Sequence, residues 1–267
     1  MREARVTVPR LMRMKRERRK IVMLTAYDFP FTEILDRAGI DVLLVGDSLG
    51  NCVQGNDTTL SVTLDEMIYH CRMVSRAAAR ALVVGDMPFG SYQASVDQAV
   101  ENACRLLKDG GAHAVKLEGG ERVADRIEAM TRMHVPVMGH VGLTPQSLHR
   151  MGGYRVQGRG ARSRDRVLCD ARAVEEAGAF AVVLEGIPRD LAREITDSLR
   201  IPTIGIGAGV GCDGQVLVLH DLVGLSSEPP PRFVRQYVSL TEIVGRAALM
   251  FSDDVRNEKF PAEHESY

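Results

Sequence analysis

Five short apolar runs in this sequence end in an ionisable residue of the kind that does acid–base or metal chemistry. Four of these residues are acidic, Asp47, Asp86, Glu118 and Glu185, and the fifth is His140. Several carboxylates in one pocket repel one another, so they either take up protons or neutralise their charge with a cation. Oxygen ligands without a nearby cysteine favour a hard cation, which predicts Mg2+, with Mn2+ as a substitute. The chemistry indicated is metal-dependent formation of a carbanion.

Three of the acids come from consecutive runs and are the predicted metal ligands, Asp47, Asp86 and Glu118. Lys116 lies two residues before Glu118, and side chains two apart on a strand point to the same face. Its ammonium group is therefore expected to neutralise a substrate carboxylate or oxyanion. Glu185 follows a later run in an apolar setting, which makes a carboxylate a better proton acceptor, so it is the predicted catalytic base.

Each of these residues also has a plainer interpretation. An acid at the turn between a strand and a helix is commonly a solvated side chain or a helix N-cap. His140 either hydrogen-bonds the substrate or a ligand carboxylate, or it is a structural histidine. Because five consecutive runs each supply one such group, a shared site is favoured over five unrelated turns.

The apolar runs are predicted to be strands that alternate with helices. The eight predicted strands are residues 21–26, 42–45, 81–85, 114–117, 135–140, 181–184, 202–206 and 216–219. The predicted helices are residues 31–38, a helix from 63 onward with a capping box of Thr63 and Glu66, and residues 96–109, 122–133, 165–177, 189–199 and 232–255. Short continuous apolar strands are typical of a parallel sheet buried on both faces. The eight alternations predict an α/β fold, a single (β/α)8 TIM barrel whose strand ends gather the five groups at one rim.

One domain is predicted for residues 1–267, with the barrel over about residues 21–224 and a terminal helical extension over about residues 232–256. The chain length is close to the roughly 250 residues of such barrels. Pro229 to Pro231 only separate the extension from the barrel. Residues 10–20 are basic and are interpreted as the polar face of an N-terminal helix.

The composition excludes several classes of protein. Apolar residues make up 45% and charged residues 26% of a chain without an apolar run of about 18 residues, which predicts a globular protein with no transmembrane helix. The basic start of the chain lacks an apolar signal region, which predicts a cytoplasmic protein. The net charge of -1 argues against nucleic-acid binding. Five scattered cysteines predict reduced thiols rather than disulfides or a zinc site.

Seven motifs, in this order, resemble the ketopantoate hydroxymethyltransferase family. They are LTAYD at 24–28, VGDSLG at 45–50, VQG at 53–55, KLEGG at 116–120, GHVGLTPQS at 139–147, GGYRVQGR at 152–159, and GIGAG followed by DGQVLVLHD. The resemblance implies a barrel related to the phosphoenolpyruvate mutase and isocitrate lyase group, assembled as a homo-oligomer, a decamer of two pentameric rings. The segment SSEPPPRFVRQY at 226–237 departs from the family's pattern.

The resemblance also implies an activity. The enzyme would transfer a hydroxymethyl group from 5,10-methylenetetrahydrofolate to 3-methyl-2-oxobutanoate and give 2-dehydropantoate, in the first committed step of pantothenate synthesis. By resemblance Asp47 and Ser48 bind the 2-oxo acid, and Asp47 also binds the metal. The substrate-binding residues are then predicted to be Asp47, Ser48, Asp86, Lys116 and His140, the metal ligands Asp47, Asp86 and Glu118, and the catalytic residue Glu185.

Other functions remain open. A Mg2+-dependent carbon–carbon lyase or decarboxylase acting on a 2-oxo acid also needs a metal-held enolate, whereas a barrel that binds keto acids without catalysis needs no base. GIGAG is either a phosphate site or a point of close backbone packing. A cluster of arginines after the fifth strand either attracts the glutamate tail of the folate or forms a solvated surface. These arginines are Arg155, Arg159, Arg162, Arg164 and Arg166.

Overall fold

The computed structural model describes residues 4–225 and 230–267 of the protein. Eight parallel strands pair in chain order, and the first pairs with the last, so the sheet closes into a barrel. The strands are β1 Ile21–Thr25, β2 Val42–Val45, β3 Leu82–Asp86, β4 Ala114–Glu118, β5 Val137–Gly142, β6 Ala181–Glu185, β7 Thr203–Ile206 and β8 Gly214–Leu217. The predicted fold class, a (β/α)8 barrel, is confirmed.

The helices are α1 Val8–Arg16, α2 Phe29–Arg37, α3 Leu49–Cys52, α4 Leu64–Ala77, α5 Val96–Lys108, α6 Ala124–Arg132, α7 Leu148–Met151, α8 Ala161–Glu176, α9 Arg189–Ser198, α10 Leu219–Val223 and α11 Leu240–Arg256. Helices α2 to α9 lie between consecutive strands in the chain, α1 precedes β1, and α10 and α11 follow β8. The capping box predicted at the start of α4 is present, because Thr63 accepts a hydrogen bond from the Glu66 N–H and Glu66 accepts one from the Thr63 N–H.

Two predicted elements near the end of the chain were wrong in their bounds. The eighth strand begins two residues earlier than predicted, at Gly214, where a Cβ atom would lie 2.5 Å from the Ile21 carbonyl oxygen. Because glycine is common in turns, Gly214 was assigned to the loop before the strand, and the close approach of the two backbones was not predicted. The terminal helix begins at Leu240 rather than at residue 232. The preceding segment is not helical, because the Tyr237 N–H bonds to the Leu222 carbonyl instead of to a residue four positions earlier.

The N-terminal helix packs across the end of the barrel away from the predicted site. Leu11 and Met14 of α1 are fully buried and, with Val6, join the core made by the inward side chains of the strands. Lys15 forms a 2.7 Å ion pair with Asp213, just before β8. The basic segment therefore has an apolar face that covers the barrel core and a polar face that is largely exposed, as predicted.

The chain divides into two compact units, Met1–Leu217 and Val218–Tyr267. The first contains the whole barrel, and the second contains α10 and α11. None of the residues of α11 is buried within the structure. Pro229, predicted to help separate the barrel from the extension, lies outside the described residues, and the assignment of one domain stays a prediction. No described helix combines the length and the apolar character needed to cross a membrane.

Candidate functional site

The carboxyl ends of β2 to β6 bring the predicted ionisable side chains to one rim of the barrel. Asp86, Glu118 and Glu185 are the last residues of β3, β4 and β6. Asp47 lies two residues beyond β2, and His140 lies within β5. All of them except Glu185 are buried, and the side chain of Glu185 is 15% exposed. The sequence positions therefore become one connected group in three dimensions.

Lys116 is the cation at the centre of this group. The register of β3 and β4 places it beside Asp86, and its Nζ lies 2.9 Å from Asp86 Oδ1. Nζ also lies 3.3 Å from His140 Nδ1. Because Lys116 is 4% exposed, its charge is balanced by neighbouring carboxylates rather than by water.

His140 links two of the carboxylates. Its Nδ1 lies 3.5 Å from Glu118 Oε1, and its Nε2 lies 3.1 Å from Glu185 Oε2. The second contact has an ion-pair distance but not the directions of a hydrogen bond. The apolar setting expected for Glu185 is therefore interrupted by an imidazole. Together these contacts form a continuous chain of ionisable groups from Asp86 to Glu185.

Gln146 is the functional residue that the sequence reasoning missed. It is 6% exposed, and its Nε2 donates to Asp47 Oδ2 and to the Met87 carbonyl, both at 2.9 Å. Its Oε1 accepts a 2.7 Å hydrogen bond from the Tyr92 hydroxyl, and its backbone N–H donates to Glu118 Oε2 at 3.0 Å. Gln146 thus orients two of the three predicted metal ligands. Its place in the motif LTPQS, in the loop after β5, was the only signal.

Burial and mutual repulsion change the acidity of this group. Burial, followed by the charges of Asp86 and Glu118, raises the pKa of Asp47 well above its usual value. Burial also raises the pKa of Asp86, although Lys116 opposes that change. Burial alone would lower the pKa of Lys116, but the three carboxylates outweigh it and raise that pKa. In the same way, carboxylate contacts outweigh burial and raise the pKa of His140 to about 9.

The three predicted metal ligands match a hard cation in their chemistry but do not converge on one point. Within residues 4–225 and 230–267, no three His, Cys, Asp or Glu side chains are arranged to hold a metal ion. One oxygen each of Asp47, Asp86 and Glu118 accepts a hydrogen bond from the surrounding protein. By contrast, Asp86 Oδ1 and Glu118 Oε1 are buried and accept no hydrogen bond of good geometry, although they face Lys116 Nζ at 2.9 Å and His140 Nδ1 at 3.5 Å. Carboxylate oxygens are the ligands that Mg2+ prefers, and water completes its coordination.

Ser48 lies next to Asp47 at the same rim, but it belongs to a different hydrogen-bonding group. Its hydroxyl lies 2.8 Å from the hydroxyl of Tyr27. Burial raises the pKa of Tyr27 well above the usual value, so this phenol remains protonated near neutral pH. Tyr27 therefore holds the hydroxyl of Ser48 in a fixed position beside the carboxylates.

The arginine cluster predicted after the fifth strand does not act as one surface. Arg164 is occupied by ion pairs with Asp190 and Glu194. Arg166 instead lines a cavity of about 710 Å3 that lies beside the carboxylates and has Glu118 in its wall. The remaining members, Arg155, Arg159 and Arg162, are exposed.

GIGAG is a point of close backbone packing. A Cβ atom on Gly205 would lie 2.9 Å from Cys212 Sγ, and one on Gly209 would lie 2.7 Å from Arg189 Cβ. Gly209 also has a φ of +79°, which side-chain-bearing residues rarely adopt. These contacts favour the packing interpretation of this motif over a phosphate site.

The sequence matches one protein family over nearly its whole length. The family model described as ketopantoate hydroxymethyltransferase matches residues 5–263. A Desulforapulum autotrophicum protein named 3-methyl-2-oxobutanoate hydroxymethyltransferase is 56% identical over 265 residues, covering 99% of each chain. A protein of the same name from Pelobacter propionicus is 54% identical over 263 residues, covering 98% of this chain and 97% of that one.

Solved structures with the same fold are much more distant in sequence. A putative phosphonomutase from Burkholderia cenocepacia has a TM-score of 0.66 at 16% identity, covering 91% of this chain and 98% of that one. A 2,3-dimethylmalate lyase of the phosphoenolpyruvate mutase and isocitrate lyase superfamily has a TM-score of 0.59 at 17% identity. The alignment covers 97% of this chain and 91% of that one. At these identities the similarity establishes the barrel fold and nothing finer.

Proposed function

This chain belongs to the ketopantoate hydroxymethyltransferase family, and we propose that it carries out the family's reaction with 3-methyl-2-oxobutanoate and 5,10-methylenetetrahydrofolate. With one water consumed, the products are 2-dehydropantoate and tetrahydrofolate. The observation that carries the proposal is the buried chain of Asp86, Lys116, His140 and Glu185, because it places a cation and a proton acceptor at one rim. The two small molecules are then the partners, and the cytoplasm is the expected location.

The 2-oxo acid would bind at Lys116, Ser48 and Asp47. The Lys116 ammonium neutralises negative charge on the substrate in a site from which water is largely excluded, where such an interaction is strongest. The hydroxyl of Ser48, oriented by Tyr27, donates a hydrogen bond to the substrate carboxylate. His140 extends the positive side of the site toward Glu185.

Asp47, Asp86 and Glu118 would hold the divalent cation. Their burial and the raised pKa values of Asp47 and Asp86 support this assignment, because buried carboxylates that crowd together are stabilised by added positive charge. When bound, Mg2+ would stabilise the negative charge that develops on the keto oxygen. Gln146 fixes the orientation of Asp47 and Glu118 by a hydrogen bond to each.

Glu185 accepts the proton from C3 of the 2-oxo acid. The electrons of the C3–H bond move into the enolate, whose charge is stabilised by Lys116. C3 of the enolate then attacks the one-carbon unit of the donor, whose carbon is bonded to two folate nitrogens. One of these C–N bonds is replaced by the bond to C3 and the other by a bond to the oxygen of water. The two nitrogens take up the proton that Glu185 removed and one proton of the water, which gives tetrahydrofolate. His140 fixes the Glu185 carboxylate for the proton transfer, since its Nε2 lies 3.1 Å away.

The proposal is tested by following the proton at C3. The wild-type enzyme with Mg2+ is expected to exchange C3 deuterium of the labelled 2-oxo acid without the folate, and to form 2-dehydropantoate only with it. Glu185→Gln should retain 2-oxo acid binding but lose exchange by at least about a hundredfold. Glu101→Gln changes an exposed acid on α5 and serves as the matched control. Exchange by Glu185→Gln at the wild-type rate would remove Glu185 from the role.

The proposed assembly is a homo-oligomer, a decamer in the family's arrangement. Its support is α11, in which no residue is buried although several apolar side chains are more than half exposed. Patches of this kind are commonly covered by another protein surface. Among these residues are Ile243, Val244, Leu249, Met250 and Phe251. Sedimentation equilibrium is expected to give a decamer, and Leu249→Glu should dissociate it; a monomeric wild type would contradict the proposal.

A further inference from the structure

The cavity beside the carboxylates is not lined by Lys116, Ser48 or Asp47, the residues proposed to bind the 2-oxo acid. Its volume is about 710 Å3, and it lies between the loops after β3, β4 and β5 and the helix α8. This volume is in the range of small-molecule sites in proteins, about 300–1,000 Å3. Glu118 and Gln146 belong both to the cavity wall and to the carboxylate group. A molecule bound in the cavity would therefore lie beside the 2-oxo acid.

The lining contains three kinds of chemistry. Aromatic rings come from Phe89, which is 48% exposed, and from Tyr92. A half-buried carboxylate comes from Asp170 of α8. Cationic groups come from four arginines; Arg126 forms an ion pair with Asp125, and the other three are here called the cavity arginines. They are Arg122, Arg150 and Arg166.

Asp170 is held in a fixed position with one oxygen available. Its Oδ1 accepts a 3.0 Å hydrogen bond from the Glu121 N–H, and a Cβ atom at Gly120 would lie 2.0 Å from that oxygen. Only glycine at position 120 therefore allows α8 to approach the loop so closely. Among the described residues, nothing donates a hydrogen bond to Asp170 Oδ2. Burial raises the pKa of Asp170, consistent with a carboxyl group removed from bulk water.

The cavity arginines also have unused binding capacity. Arg164 is fully engaged with Asp190 and Glu194, whereas none of the cavity arginines has an ion-pair partner in the part of the chain that the structure describes. A guanidinium group binds a carboxylate through two parallel hydrogen bonds. Three such groups at one cavity suit a ligand that carries more than one carboxylate.

We propose that this cavity binds the one-carbon donor, an inference that rests on the proposed function. Asp170 would accept two hydrogen bonds from the aminopyrimidinone edge of the pterin, a pair of adjacent N–H donors that a carboxylate matches. Phe89, the exposed ring of the lining, would pack against the aromatic rings. The cavity arginines would bind the carboxylates of the glutamate tail. Each part of the ligand thus meets a matching part of the lining.

The first test changes Asp170 to asparagine, which retains an oxygen acceptor for the Glu121 N–H but not the negative charge. The KM for the folate is expected to rise about tenfold, the size of one lost charge-assisted hydrogen bond, while the KM for the 2-oxo acid stays unchanged. Asp165→Asn alters an exposed acid on the same helix and is the matched control. An unchanged KM for the folate, or equal rises in both KM values, would overturn the role of Asp170.

The second test concerns binding of the glutamate tail of the folate by the cavity arginines. Binding of tetrahydrofolate and of its triglutamate is measured by calorimetry on the wild type, on an Arg150→Gln, Arg166→Gln double variant, and on Arg159→Gln as an exposed control. Only the double variant is expected to lose the preference for the longer tail, and a retained preference would overturn the assignment. Failure of wild-type C3 exchange would instead contradict the proposed function, so the two failures are distinguishable.

Discussion

Replacing Gln146 with leucine removes four side-chain hydrogen bonds from the site while nearly preserving the side-chain volume. The lost partners are Asp47 Oδ2, the Met87 carbonyl, the Tyr92 hydroxyl and Gln93 Nε2. The backbone N–H of residue 146 still bonds to Glu118. The change therefore tests the amide group and leaves the course of the loop intact.

The expected loss in the free energy of unfolding depends on whether each former partner of Gln146 can form another hydrogen bond. The Tyr92 hydroxyl has another acceptor, the Glu118 carbonyl at 3.1 Å, and the Gln93 side chain is partly exposed and can be hydrated. Asp47 and the Met87 carbonyl are buried and have no such replacement. An unsatisfied buried group costs about 1–3 kcal/mol, so two of them should lower the free energy of unfolding by about 3 kcal/mol. Because Asp47 also loses its orientation, the turnover rate should fall about tenfold or more.

Urea unfolding measures this loss of stability. The urea concentration at the midpoint of unfolding should fall, while the dependence of the free energy of unfolding on urea concentration stays the same. Gln215→Leu is the matched control, since it loses one exposed hydrogen bond to the Gly209 carbonyl and should change the free energy by less than about 0.5 kcal/mol. A cost for Gln146→Leu no larger than that of the control, with normal turnover, would refute the argument that Gln146 supports the site.

Three further predictions concern other parts of the barrel. Burial, followed by the charge of Arg5, lowers the pKa of His113 to about 4. Its neutral form therefore contributes stability above the unfolded pKa near 6.5. This stability is lost as the pH falls toward 4, by about 1 kcal/mol between pH 7 and pH 5 after allowance for partial exposure. Urea unfolding at both pH values should show this difference, and His113→Asn should abolish it. Lys116→Met leaves the Asp86 charge unpaired and should cost about 3 kcal/mol or more, again by urea unfolding; a wild-type midpoint would contradict the pairing. Gly120→Ala should cost about 1–3 kcal/mol by overpacking against Asp170, and a cycle with Asp170→Ala should show strong coupling; simple additivity would refute the contact.

The positions of the acids at the rim could be predicted because they depend on local patterns. A short apolar run that ends in an acid shows where a parallel strand stops, and the barrel geometry then determines which strand ends meet. Asp86, Glu118 and Glu185 needed no further information, since each is the last residue of its strand. Lys116 followed from the alternation of side chains along β4.

The contacts made by loops could not be predicted in this way. Gln146 lies 99 residues from Asp47 in the sequence, and nothing in the local pattern distinguishes it from other polar loop residues. The contact between His140 and Glu185 depends on side-chain directions across two strands. The late start of α11 depends on a bond between Tyr237 and Leu222, which replaces a helical one. In each case the local conformation depends on a contact with a residue that is distant in the sequence or lies in another helix or strand.

The closure of the barrel has a consequence for its synthesis. β1 pairs with β8, and Lys15 of α1 pairs with Asp213, 198 residues later. At about 5–20 residues per second, a ribosome needs roughly 10–40 s to add those residues. During that time one edge of β1 has no partner, because β8 has not yet been made. The barrel therefore closes only after nearly all of its residues have been synthesised.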